Sequence, residues 1–153
     1  MQRHELIAEI DVLLAGRAAE EVFIGEISTG AANDLERSTD ILKAMVQMYG
    51  MSDVAGLMVL EKQRSTFLGG GMTQAKEYSE KMAEEMDNFI KNTLQERYVE
   101  VKIRLEAYRD AIEKMVELLY AKENITGDQV RGIIEKYEQE NNIETKLSPK
   151  KAL

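Results

Sequence analysis

The chain has 153 residues, which suits one folded domain, and 44% of them are hydrophobic, which is enough for a core. Its 28 acidic and 20 basic residues give a net charge of −8, which argues against nucleic acid and anionic membrane surfaces as partners, because both bind clustered Lys and Arg. The chain has no cysteine, which excludes disulfides, thiolate metal sites and cysteine nucleophiles.

The first 50 residues predict two helices. Apolar residues recur at spacings of three and four over residues 4–24, and Gly25 is a plausible stop. A second helix is predicted over residues 33–49. Asn33 and Glu36 have the spacing of a capping box, which places the helix start at Asn33.

Residues 51–72 have the weakest helical pattern. Short strands are conceivable at 57–60 and 66–68, and three consecutive glycines follow the second of them. The sequence therefore predicts a short irregular or β segment between two helical regions.

The region 73–122 carries the clearest helical pattern. From Tyr98 to Leu119 its apolar residues form a heptad-like seam. Nearly 50 residues is long for one helix in a globular protein, so we expect a break near 108–111 and two antiparallel or sharply angled helices.

A further short helix is predicted after Thr126, which forms a capping box with Gln129. Residues 139–153 have the composition of a disordered tail. The predicted fold class is all-α, with long helices packed as a bundle and the irregular or β segment at 51–72.

His4 is the one histidine of the chain. Together with Glu5 it begins the pattern His-Glu-x-x-His, in which two imidazoles one helical turn apart bind zinc. Ala8 stands where the second imidazole would be, so His4 reads as an ordinary exposed residue. No phosphate-binding loop pattern occurs either, so ATP binding by that route is not expected from this segment.

Asp34 falls in the first turn of the second predicted helix. The partial positive charge of a helix start favours an ionised carboxylate, which is the form that binds zinc. The residue pattern alone fits a structural helix cap better than a metal ligand, and both readings stay open at this point.

Two segments read together resemble a known family. Residues 16–21 (Gly-Arg-Ala-Ala-Glu-Glu) precede residues 28–39 (Ser-Thr-Gly-Ala-Ala-Asn-Asp-Leu-Glu-Arg-Ser-Thr), and Met-Val, Tyr-Gly-Met-Ser and Phe-Leu-Gly follow in order. This order is similar to the C-terminal two thirds of the peptidase domain of the FtsH family of membrane-anchored, ATP-dependent zinc metalloproteases. The similarity covers roughly residues 4–138, and Ala15 departs from it, because the family usually has Gly there.

The resemblance implies an architecture larger than this chain. Residues 1–138 would be part of the peptidase domain, with the His-Glu-x-x-His helix, an ATPase domain that binds ATP and Mg²⁺, and transmembrane helices all upstream of Met1. It implies Zn²⁺ as the cofactor, membrane and cytosolic proteins as substrates, a homo-hexamer, and a bacterial inner-membrane protein whose peptidase domain faces the cytoplasm. The segment alone is expected to be inactive, because it lacks the imidazole pair.

The resemblance also assigns roles to individual residues. The family's third zinc ligand matches Asp34, which becomes the best candidate metal ligand. Glu20, Glu21 and Asn33 become candidates for side chains that support the site without binding metal. The alternative is a non-enzymatic helical module for interaction or oligomerisation, whose motive is the missing imidazole pair and the seam from Tyr98 to Leu119.

Overall fold

The computed structural model describes residues 1–54, 56, 58 and 78–144. Within these residues it contains five α-helices and no strand, which confirms the all-α prediction. A π-helical turn and a 3-10 turn connect the first two helices. The elements in chain order are α1 (Arg3–Ala19), the π-turn (Glu20–Ile24), the 3-10 turn (Thr29–Ala31), α2 (Ala32–Gln47), α3 (Glu80–Ala107), α4 (Arg109–Lys122) and α5 (Gly127–Glu140).

The chain forms two compact units, and the first extends from Met1 to Lys102. Its core consists of apolar side chains from α1, α2 and the first half of α3. Burying each of them is worth about 1.5–3 kcal/mol, so this cluster dominates the stability of the unit. The buried residues are Leu6, Ile10, Leu14, Leu42, Met45, Val46, Met86 and Ile90.

The helix α1 shows why this segment folds as it does. Leu6, Ile10, Leu14 and Ala18 follow one another at intervals of four, which puts them on one face, and each is buried. The prediction of a helix ending at Gly25 is confirmed, with the difference that the last turn is a π-helix. Gly25 has a φ of 81°, a left-handed conformation that glycine adopts without strain.

The second unit begins at Ile103 and contains the end of α3 together with α4 and α5. Tyr108 separates α3 from α4 with φ −107° and ψ 18°, which confirms the predicted break. The Tyr137 hydroxyl of α5 donates to the Ala107 carbonyl at 2.6 Å, and the rings of Tyr108 and Tyr137 lie 5.5 Å apart. Ala111 is fully buried in this unit.

The predicted capping role of Asn33 is wrong. The helix α2 begins at Ala32 and follows the 3-10 turn directly, so Asn33 lies inside the first turn and does not cap it. The helix α3 begins at Glu80, where the Ser79 hydroxyl accepts a hydrogen bond from the Met82 amide at 3.1 Å, and the predicted start near Thr73 lies outside the described residues.

Other predictions fall wholly or partly outside the described residues. The possible strands at 57–60 and 66–68 do so, apart from residue 58, and so does most of the predicted tail. The helix α5 extends to Glu140, and its predicted capping box is confirmed by Thr126 and Gln129. Over the ranges that the structure covers, no helix combines the length and apolarity needed to cross a bilayer.

Candidate metal-ligand site

The candidate site lies where α1 gives way to α2. The π-turn adds a residue to the last turn of the first helix, and Gly25 closes it by donating its amide to the Glu20 carbonyl at 3.0 Å. The loop after Gly25 leads through Ser28 into the 3-10 turn and then into α2. Glu20 and Glu21 are neighbours in the π-turn, and each of them contacts a different part of the chain.

Glu20 binds the loop that follows it. One carboxylate oxygen accepts the Ser28 backbone amide at 2.9 Å, and the other accepts the Ser28 hydroxyl at 2.7 Å. The bond from the Ser28 amide is the main reason why the pKa of Glu20 lies below its usual value, and the bond from the hydroxyl adds to it. Glu20 is therefore held ionised while it closes the seven-residue loop between itself and Ser28.

Ser28 also forms a hydrogen bond with the 3-10 turn that precedes α2. Its hydroxyl oxygen accepts the Gly30 amide at 3.1 Å, which caps the 3-10 turn. Serine suits this position because its short side chain reaches backbone amides that have no partner in the helical turn. The hydroxyl thus joins the Glu20 carboxylate to the start of the helix that carries Asp34.

Asp34 is the third residue of α2 and is partly buried. Its side chain turns toward α1, because a Cβ built on Gly16 would lie 3.9 Å from Asp34 Oδ2. The absence of a side chain at Gly16 leaves the carboxylate close to the backbone of α1. A carboxylate at this end of a helix lies beside the positive end of the helix dipole.

Glu21 binds α3. It accepts hydrogen bonds from the Tyr98 hydroxyl and from Lys102 Nζ, the latter at 3.0 Å. The Tyr98 bond is the largest cause of the lowered pKa of Glu21, followed by the Lys102 bond. Burial, followed by the bond to Glu21, raises the pKa of Tyr98 to about 12. Glu21 therefore serves to fix the π-turn against α3.

Two further ion pairs attach α1 to its neighbours. Arg97 of α3 forms a two-point contact with the Asp11 carboxylate, with N–O distances of 2.8 and 2.5 Å. Arg37 of α2 contacts Glu9 at 2.8 Å. The mostly buried Asp11–Arg97 pair joins α1 to α3, whereas the exposed Glu9–Arg37 pair adds little to the contact of α1 with α2.

A cavity of about 360 Å³ lies between α1, α2 and α3. Arg17 and Leu35 in its wall follow Gly16 and Asp34 in sequence, but neither Gly16 nor Asp34 lines it. The wall contains three leucines and five side chains that carry a polar group. It is formed by Leu14, Arg17, Leu35, Thr39, Lys91, Leu94, Gln95 and Tyr98.

Comparison with known sequences places the chain in a family. The family model of peptidase family M41 matches residues 1–133. The chain belongs to peptidase family M41. A relative from Helicobacter felis called "ATP-dependent zinc metalloprotease FtsH" is 68% identical over 149 residues, which are 97% of this chain and 23% of the relative.

More distant M41 relatives carry the same name. The one from Sulfurovum sp. is 58% identical over 97% of this chain, which spans 22% of that relative. The one from Thermotoga maritima is 39% identical over 88% of this chain, again spanning 22% of the relative. This M41 chain therefore spans less than a quarter of the length of these proteins.

The described residues of this M41 chain do not complete a zinc site by themselves. They contain no group of three or more His, Asp or Glu side chains arranged to hold a metal. His4 is exposed in the first turn of α1 and lies twelve residues before Gly16, which is roughly 18 Å along the helix axis. Asp34 therefore offers one carboxylate that could bind zinc, and this chain places no imidazole beside it.

The four candidate residues of this M41 chain differ in their surroundings. Asp34 faces Gly16, Glu20 holds Ser28, Glu21 holds Tyr98 and Lys102, and Asn33 is exposed. The partners of Glu20 and Glu21 were not predicted from the sequence. A signal for one of them was present, because Ser28 stands before a turn and is a residue type that caps helices.

Proposed function

We propose that this chain supplies Asp34 as one of three protein ligands of a catalytic zinc ion in an ATP-dependent endopeptidase that cleaves proteins. Membership of family M41 and the names of its relatives support the reaction type. The observation that carries the residue assignment is the position of the Asp34 carboxylate in the first turn of α2, 3.9 Å from where a Cβ on Gly16 would lie.

The remaining parts of the enzyme come from polypeptide outside these 153 residues. A second and third ligand require two imidazoles, and the one histidine of this chain is too far from Asp34 to be either. ATP and Mg²⁺ belong to an ATPase domain, and attachment to the bacterial inner membrane belongs to transmembrane helices. The proposed assembly is a homo-hexamer whose peptidase domains face the cytoplasm.

The contribution of this chain to catalysis is to hold a carboxylate. Zinc, when bound, lowers the pKa of a coordinated water and polarises the peptide carbonyl. Three protein ligands leave one position open for that water. Asp34 would serve this arrangement by presenting its carboxylate from the first turn of α2, on the side of that helix that lies near Gly16 of α1.

The proposal is tested by replacing Asp34 in the intact peptidase that contains these residues. Asp34→Ala should lose bound zinc and chelator-sensitive peptidase activity together. Asp40→Ala is the matched control, since Asp40 is an exposed acidic residue on the same helix. If Asp34→Ala keeps zinc at the stoichiometry of the control, Asp34 is not a ligand and the assignment is wrong.

A second measurement concerns the 153-residue chain alone. We expect it to hydrolyse no peptide and to bind zinc only weakly, because a single carboxylate does not make a catalytic zinc site. Peptidase activity of the isolated chain that chelators abolish would contradict this expectation.

The alternative of a helical oligomerisation module is less well supported. It rests on the missing imidazole pair and on the heptad-like seam from Tyr98 to Leu119. The break at Tyr108 interrupts that seam, so these residues do not form a single coiled-coil helix.

A further inference from the structure

The loop between the π-turn and α2 is closed by one pair of residues. Both carboxylate oxygens of Glu20 bind Ser28, one at the backbone amide and one at the hydroxyl. The same hydroxyl oxygen accepts the Gly30 amide. The two residues therefore form a clamp, which we call the Glu20–Ser28 clamp, between the end of α1 and the start of the next helical segment.

The backbone between Ser28 and Asp34 has few accessible conformations. Residues Thr29–Ala31 form a 3-10 turn, and the Ala32 amide donates to the Thr29 carbonyl. Ala31 is buried and anchors this turn. Asp34 follows in the first turn of α2, so each residue between Ser28 and Asp34 belongs to a hydrogen-bonded helical turn.

We propose that Glu20 is a positioning residue, which acts through Ser28 to fix the start of α2 and thereby the direction in which Asp34 presents its carboxylate. This inference rests on the proposed function, because it assumes that Asp34 binds zinc. It gives Glu20 a role distinct from that of a ligand. Both of its carboxylate oxygens are already engaged by Ser28, and binding a metal would compete with the bonds that close the loop.

Glu21 does not share this role. Its bonds run to Tyr98 and Lys102 of α3, and none of them leads to the segment that carries Asp34. Replacing Glu21 should alter how the π-turn packs while leaving the clamp closed. Glu21→Gln is therefore a control for Glu20→Gln, since the two positions adjoin and undergo the same chemical change.

The first experiment measures amide hydrogen exchange in the 153-residue chain. Ser28→Val and Ser28→Thr are a matched pair, because Val and Thr have nearly the same shape and only Thr keeps the hydroxyl. We expect Ser28→Val and Glu20→Gln to accelerate exchange at Gly30 and in the first turn of α2 about fivefold, the scale of a lost helix cap. Ser28→Thr should restore the slow rate, and exchange in α5 should not change.

The second experiment measures zinc affinity of the same variants in the intact peptidase. Residues that orient a metal ligand typically change affinity by about 10–100-fold when replaced. We expect Ser28→Val and Glu20→Gln to weaken zinc binding at least about tenfold. Ser28→Thr and Glu21→Gln should stay close to the unaltered protein.

The outcomes separate this inference from the assignment of Asp34. One outcome would be that Asp34→Ala loses zinc and that Ser28→Val exchanges faster but binds zinc as tightly as the unaltered protein. In that case the clamp only stabilises the local structure, and the inference is overturned. If Asp34→Ala retains zinc, the proposed function itself fails. If Ser28→Val leaves exchange at Gly30 unchanged, the clamp does not order the start of α2 and the inference also fails.

Discussion

The ion pair between Asp11 and Arg97 gives the sharpest prediction about stability. It joins α1 to α3 across 86 positions of sequence through two parallel hydrogen bonds of 2.8 and 2.5 Å. The side chains are only 13% and 25% exposed, respectively, so water competes weakly for them. The hydrogen bond from Arg97 to Asp11 is also the main reason why the pKa of Arg97 is raised.

The size of the coupling follows from this partial burial. Exposed ion pairs contribute about 0.2–1 kcal/mol, and removing one partner of a fully buried pair costs about 3–5 kcal/mol. Two charge-assisted hydrogen bonds at intermediate burial place the Asp11–Arg97 coupling at about 2 kcal/mol. Salt should weaken it only in part, because partly buried pairs are screened less than exposed ones.

A double-mutant cycle measures this coupling. Asp11→Asn, Arg97→Met and the double variant are compared with the unaltered chain by urea unfolding, followed by far-UV circular dichroism at pH 7. Each single variant should lose about 2–3 kcal/mol, and the double variant should lose less than the sum. A coupling energy below about 0.5 kcal/mol would refute the argument that this pair holds α1 against α3.

Three further predictions concern other parts of the chain. Leu42→Ala leaves a cavity at a fully buried core position and should lower the free energy of unfolding in urea by about 2–5 kcal/mol. Val12→Ala, at a 74% exposed position, should leave the free energy of unfolding almost unchanged. Equal losses in the two variants would contradict the assigned core. The pKa of Glu21 lies below the usual 4.5, mainly because Tyr98 donates a hydrogen bond to its carboxylate. The ionised Glu21 therefore stabilises the fold at pH values above 4.5, and this stabilisation is lost as the pH falls through the pKa of Glu21 in the folded chain. The stability difference between Glu21→Gln and the unaltered chain should therefore be constant near neutral pH and shrink below about pH 4.5, and a difference that grows on acidification would be inconsistent with the bond. Thr126→Val removes the cap of α5 and should destabilise the second unit by about 1 kcal/mol, measured by exchange of the amides in that helix; unchanged exchange would show that the cap contributes nothing.

The sequence predicted the helices because their signal is local. In α1, apolar residues at intervals of four identify the buried face without knowledge of what covers it. The break at Tyr108 was predictable from the improbable length of a single helix, and the cap at Thr126 from two side chains three residues apart. These features depend on spacing within a few turns of chain.

The predictions failed where distant or competing contacts decide the structure. Asn33 has capping-box spacing, but Ser28 caps a 3-10 turn that starts the helix earlier. The contact of Asp11 with Arg97 and that of Glu21 with Tyr98 join residues far apart in sequence, and no local pattern marks them. Asp34 was identified as a candidate through the family resemblance, since its position in the first turn of a helix suits a cap equally well.

The most direct test of the account is the distance between Asp34 and zinc in the intact zinc-loaded peptidase, measured by crystallography with anomalous scattering at the zinc edge. We expect a carboxylate oxygen of Asp34 about 2.0–2.2 Å from the metal, with two imidazoles completing the protein ligands. We also expect that both oxygens of Glu20 remain on Ser28. A zinc ion bound by Glu20 or by another residue, with the Asp34 carboxylate outside its coordination shell, would contradict the account.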